Sequence, residues 1–334
     1  MDDLVELLKQ RGFKGEIDTT DATRTVYSHD ASLFELKPEI VVFPKDTHDL
    51  QQLVVCAHLM RHKHPKLSLT ARSAGTDMSG GAVGDSVVID FTKHFNQLGE
   101  ITGKSARTQP GVLYRDFEPK TFAKGGLMPS FPASRDLASV GGMVANNSGG
   151  EKSLEFGKTE NFVDELDVVL SDGQSYKLKP LNISELEAKK KLKTFEGQIY
   201  RQMHALLESH YDKIKAAKPH VTKNSTAYNL WDVWDREKGI FDLTKLFVGS
   251  QGTLGLVSDI KFRLIPNPKH SGVLVCFMKS LDELGELINT VLEKKPASFE
   301  AFDNHTLMLA IKFFPYFRKT LGWGGLVKLG LQLT

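Results

Sequence analysis

The stretch Arg72-Ser73-Ala74-Gly75-Thr76-Asp77-Met78-Ser79-Gly80-Gly81 follows an apolar run, Leu67 to Ala71, that reads as a β-strand. A loop of small and hydroxyl residues directly after a strand leaves backbone N–H groups free to converge on an anion, a nest suited to phosphate oxygens. Its glycines permit positive φ or close backbone approach, which other residues resist. Two further clusters share this character: Ser139-Val140-Gly141-Gly142-Met143-Val144-Ala145-Asn146-Asn147-Ser148-Gly149-Gly150, and Gly249-Ser250-Gln251-Gly252-Thr253-Leu254-Gly255. In the former, small residues let a helix start and a loop approach a flat ligand closely. One such loop alone reads as a glycine-rich turn. Three of them in one chain read as a binding site.

The flanking segments supply the scaffold. Glu39-Ile40-Val41-Val42-Phe43 is a β-rich run ended by Pro44. Asp46 then offers an N-cap, with Asp49 three residues on and Leu50, Leu53, Val54 and Ala57 at helical spacing. With Val87-Val88-Ile89 as the next strand, the first loop is too long for a tight hairpin, and such loops are usually functional. Leu166 to Leu170 and Tyr176 to Leu178 read as strands joined by Asp172-Gly173, a hairpin signal. Ile183 to about Tyr211 reads as helix and Lys218 to Asn224 as a polar connector. Val257 to Ile265 alternates, with Ile260, Phe262 and Leu264 on one face and Lys261 and Arg263 on the other, so it reads as a half-buried strand.

Pro266 and Pro268 mark a domain boundary. Beyond it, Val273 to Phe277 and Phe299 to Phe302 read as strands around a helix opened by the capping box Ser280-Leu281-Asp282-Glu283. That βαβ is only the beginning of a domain. The apolar end from Leu321 to Thr334 has no cap or turn signal, as expected of a chain cut partway through an element.

The 334 residues suggest about two domains. A charge of +2, from 43 basic and 41 acidic residues, argues against a nucleic-acid binder, which would carry a strongly basic face. Cys56 and Cys276 lie far apart in apolar runs and read as buried, inert thiols of a reducing compartment. The acidic N-terminus does not read as a signal peptide, and no apolar run has the length of a membrane span. These features suggest a cytoplasmic protein, with a peripheral seat at the inner face of a membrane left open. Familiar phosphate motifs are absent by spacing. Gly322-Trp323-Gly324 has Val327 where a dinucleotide fingerprint needs its third glycine, and Lys152 stands where a P-loop ending at Lys158-Thr159 needs its first. No G-x-S-x-G occurs.

The loop Arg72 to Gly81, the segment Phe131-Pro132-Ala133-Ser134 through Gly150, and Val248 to Gly255 resemble, in order and spacing, the FAD-binding domain of the vanillyl-alcohol oxidase / p-cresol methylhydroxylase (PCMH) type. The similar subgroup is that of glycolate oxidase and D-lactate dehydrogenase-like flavoproteins. The resemblance implies an α+β fold. Residues 1–267 would form a PCMH-type domain of two α+β subdomains, about 1–95 and 96–267, and residues 268–334 the start of a ferredoxin-like substrate (cap) domain, truncated at its C-terminus. It implies that Arg72, Ser73, Ala74, Gly75, Thr76, Asp77, Met78, Ser79 and Gly80 hold the pyrophosphate of FAD, mainly through backbone N–H groups. Pro132, Ser139, Gly141, Gly142, Asn146, Ser148 and Gly149 would line the pyrophosphate and flavin side. Gly252, Gly255 and Val257 would form the adenosine or flavin wall. Members with histidyl-linked flavin carry His where this chain has Thr76, so non-covalent FAD is implied. The third motif usually reads G-S-E-G-T-L-G, and Gln251 here replaces its Glu, which removes a charge.

The implied activity is oxidation of a D-2-hydroxy acid of the D-lactate, glycolate or D-2-hydroxyglutarate type, with hydride passing to flavin N5. The electron acceptor is open among a cytochrome, a quinone, an electron-transfer flavoprotein and oxygen. The catalytic base and substrate-clamping Arg of such enzymes come from regions beyond the position of Thr334, so no catalytic residue is assigned here. The alternative is an FAD-binding module or subunit fragment without turnover of its own, completed by a downstream segment or a partner chain. A flavin reductase of cell-wall precursors finds no support in the residues. No metal site is expected: His58 and His62 are spaced i, i+4 and His64 follows, but the stretch is Lys/Arg-rich and leads into Pro65, as a solvated helix end does. His29, His94 and His305 are isolated and are not expected to be the base.

Overall fold

The computed structural model describes residues 1–221, 224 and 226–333. The Lys218 to Asn224 connector therefore lies partly outside the described residues. The chain divides into two compact units, Met1–Asn267 and Pro268–Thr334.

Among the described residues the first unit contains four sheets, and the two larger ones have separate cores. In the four-stranded sheet, β1 (Glu16–Asp18) is antiparallel to β2 (Ile40–Phe43), while β3 (Leu69–Arg72) and β4 (Val87–Asp90) run parallel to β2, in the order β1-β2-β4-β3. Every residue of β2 and β4 is buried, as parallel strands covered on both faces should be. Helix α1 (Asp2–Gln10) contributes Leu4 and Leu8 to this core, and α2 (Thr47–Met60) contributes Leu50, Leu53 and Cys56. Asp46 caps α2 by accepting from the Asp49 amide at 3.0 Å. Asp49 does not close a capping box. Its carboxylate instead accepts from the amides of Lys14 and Lys45, each at 2.8 Å, which ties α2 to the segment after α1.

The second sheet is antiparallel, with strands β5 (Leu98–Ile101), β6 (Ser105–Thr108), β7 (Val163–Val169), β8 (Ser175–Leu178) and β9 (Leu256–Arg263) in the order β5-β6-β9-β7-β8. Ile260 and Phe262 of β9 point into a core shared with α3 (Tyr114–Ala123) and α4 (Val140–Ala145), while Lys261 and Arg263 face out. The β7–β8 hairpin turns at Asp172-Gly173, and Gly173 has φ +75°. A Cβ at Gly173 would lie 2.3 Å from Val55 of α2, so glycine lets the hairpin tip close onto the first sheet's helix. Val169 and Leu256, at the ends of β7 and β9, are buried in the first core and join the two halves. The helical stretch after residue 183 is interrupted. Helix α5 (Ile183–Lys191) ends before Leu192, and α6 (Phe195–Ser209) restarts with Thr194 as N-cap.

The second unit departs from its sequence reading. Neither Val273 to Phe277 nor Phe299 to Phe302 forms a strand, and the unit's described elements are helices α7 (Leu284–Leu292) and α8 (Asn304–Leu333), the latter broken by non-helical backbone at Gly322. β-propensity yields a strand only when a neighbouring edge takes up the backbone bonds. Val273, Leu274 and Phe277 are instead exposed, Phe277 at 93%. The expected capping box is also absent, because the Ser280 hydroxyl donates to Asp282 and α7 begins after Glu283 without a side-chain cap. Cys276 is exposed, correcting the reading of two buried thiols, whereas Cys56 is buried and free.

Candidate functional site

The first glycine loop leaves the carboxyl end of β3. Gly75 (φ +66°) and Gly80 (φ +82°) take backbone conformations that L side chains resist. Asp77 shapes the turn between them: its Oδ2 accepts from the Ser79 hydroxyl at 2.5 Å and from the Gly81 amide at 3.1 Å. Among the described residues, no group accepts from the amides of Gly75, Thr76, Asp77 or Met78. These four consecutive donors are available to an anion.

The other two loops are tied to the first. Ser139, the N-cap of α4, accepts from the Gly142 amide at 3.4 Å and from the Ala74 amide at 3.3 Å. The Ser73 hydroxyl donates to the Pro110 carbonyl at 2.9 Å, and Gly141 donates to the same oxygen at 2.8 Å. At the other end of α4, Val144 and Ala145 carbonyls accept from Gly249 and Gln251, each at 2.9 Å, which suspends the third loop from that helix. Gln251 then donates from Nε2 to the Ser79 Oγ at 3.0 Å. The three loops thus line one open cavity of about 790 Å³.

Of the residues expected at a cofactor, Arg72, Ser73, Ala74, Gly75, Thr76, Asp77, Met78, Ser79, Pro132, Gly141, Gly142, Asn146, Ser148, Gly149, Gly252, Gly255 and Val257 line this cavity. Gly80 and Ser139 do not. Gly80 faces away, since a Cβ there would meet the Phe34 ring at 2.6 Å, and Ser139 sits buried behind the wall as the cap described above. The sequence reading missed Ala31, Phe91, Pro110 and Phe247 in the wall. Ala31 arrives through a backbone bond, its amide donating to the Gly75 carbonyl at 3.0 Å, and such a contact leaves no side-chain pattern to read.

The glycines differ in what they accommodate. A Cβ at Gly141 would lie 2.4 Å from Pro110, and one at Gly255 2.8 Å from the Val169 carbonyl, so both serve chain packing. At Gly142 the nearest atoms would be Ser139 Oγ at 3.2 Å and Ser73 Cβ at 4.0 Å, so its open side faces the cavity.

Arg72 and Asp77 are the ionisable side chains in the wall. The Arg72 guanidinium lies over the Tyr27 ring, 5.1 Å from its centroid, and reaches the carbonyls of Tyr27 and Ala82 at 3.5 and 3.4 Å. Burial draws its pKa down, against the fields of Tyr27, Asp30 and Asp90. Burial, reinforced by Asp90, pushes the Tyr27 phenol up, and its hydroxyl donates to Asp90 Oδ2 at 3.0 Å. Arg72 therefore braces the two ends of the loop. The histidines lie elsewhere: His58 and His62 are exposed, His64 pairs with Asp3 at 2.9 Å and His94 with Glu16 at 2.8 Å.

A strip of free amides beside an apolar wall of Phe91, Leu137, Ala138, Met143, Phe247 and Val257 suits a ligand with a phosphate middle and flat rings. The cavity lies within the usual range for cofactor sites, about 300–1,000 Å³. Residues 38–179 match the family described as FAD binding domain. That stretch holds the first two of the three glycine loops, and the cavity they line fits an FAD-binding domain. It is 30% identical to D-2-hydroxyglutarate dehydrogenase of Pseudomonas putida, over 93% of this chain and 31% of that protein. It is 27% identical to glycolate oxidase subunit GlcD of Bacillus subtilis, over 92% of this chain and 54% of that one. A solved alkyldihydroxyacetonephosphate synthase shares the fold, with a TM-score of 0.54 at 16% identity, covering 81% of this chain and 41% of that chain. The chain thus spans about a third of the length of the Pseudomonas putida, Pantoea ananatis and Escherichia coli dehydrogenases it matches.

Proposed function

We propose that this chain is the FAD-binding part of an oxidoreductase acting on 2-hydroxy acids of the D-2-hydroxyglutarate, D-lactate or glycolate type. The observation that carries the reading is the convergence of three glycine loops on one cavity, with the Gly75 to Met78 amides unclaimed. The names of the relatives support the substrate class. The loop amides would hold the diphosphate, Gly142 would give it room, and the apolar wall would exclude water from the ring system. Bound FAD supplies the two-electron acceptor that such an oxidation needs. Thr76 offers a hydroxyl where a covalent link needs an imidazole, so the cofactor would be held without a bond.

The wall also favours the reading of a module that needs completion. A base must come within hydrogen-bond reach of the substrate hydroxyl, and a clamp must fix its carboxylate. Arg72 is engaged with Tyr27 and Ala82, and Asp77 with Ser79 and Gly81. Base and clamp would then come from a downstream segment or a partner chain. The buried Cys56 thiol suits a reducing, cytoplasmic setting, and among the described residues no helix is long and apolar enough to cross a membrane.

The test is spectroscopic. Purified protein supplied with FAD should show flavin absorbance that co-elutes with it, and acid should release all of the flavin. Flavin fluorescence remaining on denatured protein in a gel would refute the non-covalent site, and protein without flavin bands would refute the cofactor.

A further inference from the structure

Asp77 presents a difficulty for an anion-binding loop. It lines the cavity within the run of free amides, and a carboxylate beside a diphosphate is repulsive. The structure contains an arrangement that addresses this. Asp77 Oδ2 accepts the Ser79 hydroxyl and the Gly81 amide, and Ser79 Oγ, whose single proton goes to Asp77, accepts from Gln251 Nε2. The chain Gln251 to Ser79 to Asp77 spans the third and first loops, which are 172 residues apart in sequence. Gln251 itself has φ +50°, and its Oε1 and Asp77 Oδ2 both flank Gly81, 2.8 and 3.0 Å from where a Cβ there would stand.

We propose that Gln251, Ser79 and Asp77 form a latch that fixes the first loop in its anion-accepting shape, and that the neutral amide at position 251 is a requirement of it. Gln251 is a positioning residue, acting through Ser79 on Asp77. An amide can donate to Ser79, whereas a carboxylate there has no proton to give and would face the Asp77 carboxylate across one hydroxyl. The charged groups around the latch are Asp77 on the loop and Arg72 at its base, with Tyr27, Asp30 and Asp90 grouped about Arg72. Arg72 is held on Tyr27 and Ala82, away from the latch's hydrogen bonds.

The inference rests on the FAD reading, and two measurements separate their failures. Hydrogen exchange on the cofactor-free protein reads the latch alone. Gln251→Ala should speed exchange of the Gly81 amide, and unchanged exchange there overturns the latch whether or not FAD binds. FAD titration by fluorescence quenching at pH 8 and pH 5 then reads the charge requirement. Relative to wild type at the same pH, Gln251→Glu should bind about tenfold more weakly at pH 8, as expected for like charges meeting near a protein surface. It should recover most of that loss at pH 5, because the neighbouring carboxylate raises the pKa of the new one. A loss of equal size at both pH values, or none, overturns the neutral-amide requirement. Gln251→Ala should show a smaller loss that does not change between the two pH values. Wild-type protein that takes up no FAD overturns the underlying cofactor reading and leaves the exchange result to decide the latch.

Discussion

Gly75 and Gly142 both belong to the cavity wall, yet they are glycine for different reasons, and substitution separates the two. At Gly75 the backbone is left-handed, and a Cβ would lie 2.7 Å from the Arg72 guanidinium. Gly75→Leu should therefore cost stability as well as cofactor, because it strains the backbone and displaces the brace that Arg72 provides. At Gly142 the backbone is helical and the added atoms would enter the cavity. Gly142→Leu should leave the melting temperature within a few degrees of wild type while abolishing FAD binding, as judged by calorimetry and absorbance. Full flavin content in Gly142→Leu would remove that residue from the cofactor face. The glycine pattern indicated that a ligand approaches here, but not which glycines serve the ligand and which serve the fold, since that depends on what stands opposite each Cα. Arg72 shows the same limit. Its position in the loop suggested a cofactor contact, and its partners are backbone carbonyls of Tyr27 and Ala82, which leave no side-chain pattern to read.

At the scale of elements, local pattern predicted structure well where the partner was close and failed where it was not. Strands β2 and β4 and helix α2 were legible because an apolar run or an N-cap determines them locally. The expected strands after Pro268 were not, since a strand forms only against an edge and Val273 to Phe277 has none. Cross-strand chemistry is also hidden from sequence. On the outer face of the second sheet, Arg107 of β6 pairs with Asp259 at 2.5 Å, Glu165 at 2.6 Å and Asp167 at 3.5 Å, with Lys177 and Lys261 beside them. Burial raises the pKa of Asp259, and Arg107 opposes the rise. Arg107→Met should remove that opposition and leave three half-buried carboxylates without their shared guanidinium. The loss at pH 7 should be about 1–3 kcal/mol. The sign of its pH dependence follows from linkage. A carboxyl whose folded pKa is raised above its unfolded value contributes stability at low pH and loses it as pH rises through the folded value. The gap between wild type and Arg107→Met should therefore widen from about pH 4 to pH 7 and close below the ordinary carboxylate range, about 4. Urea denaturation across that range measures it, and a gap that widens toward acid would contradict the assignment.

At the scale of the whole molecule, the unit Met1–Asn267 holds both hydrophobic cores and every residue lining the cavity. The unit Pro268–Thr334 exposes large apolar side chains, among them Phe302 at 81% and Trp323 at 65%. Exposed apolar surface favours self-association. A chain ending at Asn267 should then bind FAD with the affinity of the full sequence and stay monomeric at concentrations where the longer one aggregates, as light scattering would report. Neither form should turn over. Hydride removal needs the substrate fixed against the ring and its hydroxyl proton taken, and general base assistance alone is worth about 10²–10⁴ in rate. The cavity wall offers Arg72 and Asp77 as ionisable groups, both already engaged by protein partners. Mixing FAD-loaded protein anaerobically with D-2-hydroxyglutarate, D-lactate or glycolate in a stopped-flow instrument should leave the flavin band unbleached on the timescale of ordinary enzymes, about 1–10³ s⁻¹. Bleaching at such rates would overturn the prediction. It would place the base within these 334 residues, with Asp77 and the histidines outside the cavity wall as the first candidates to substitute.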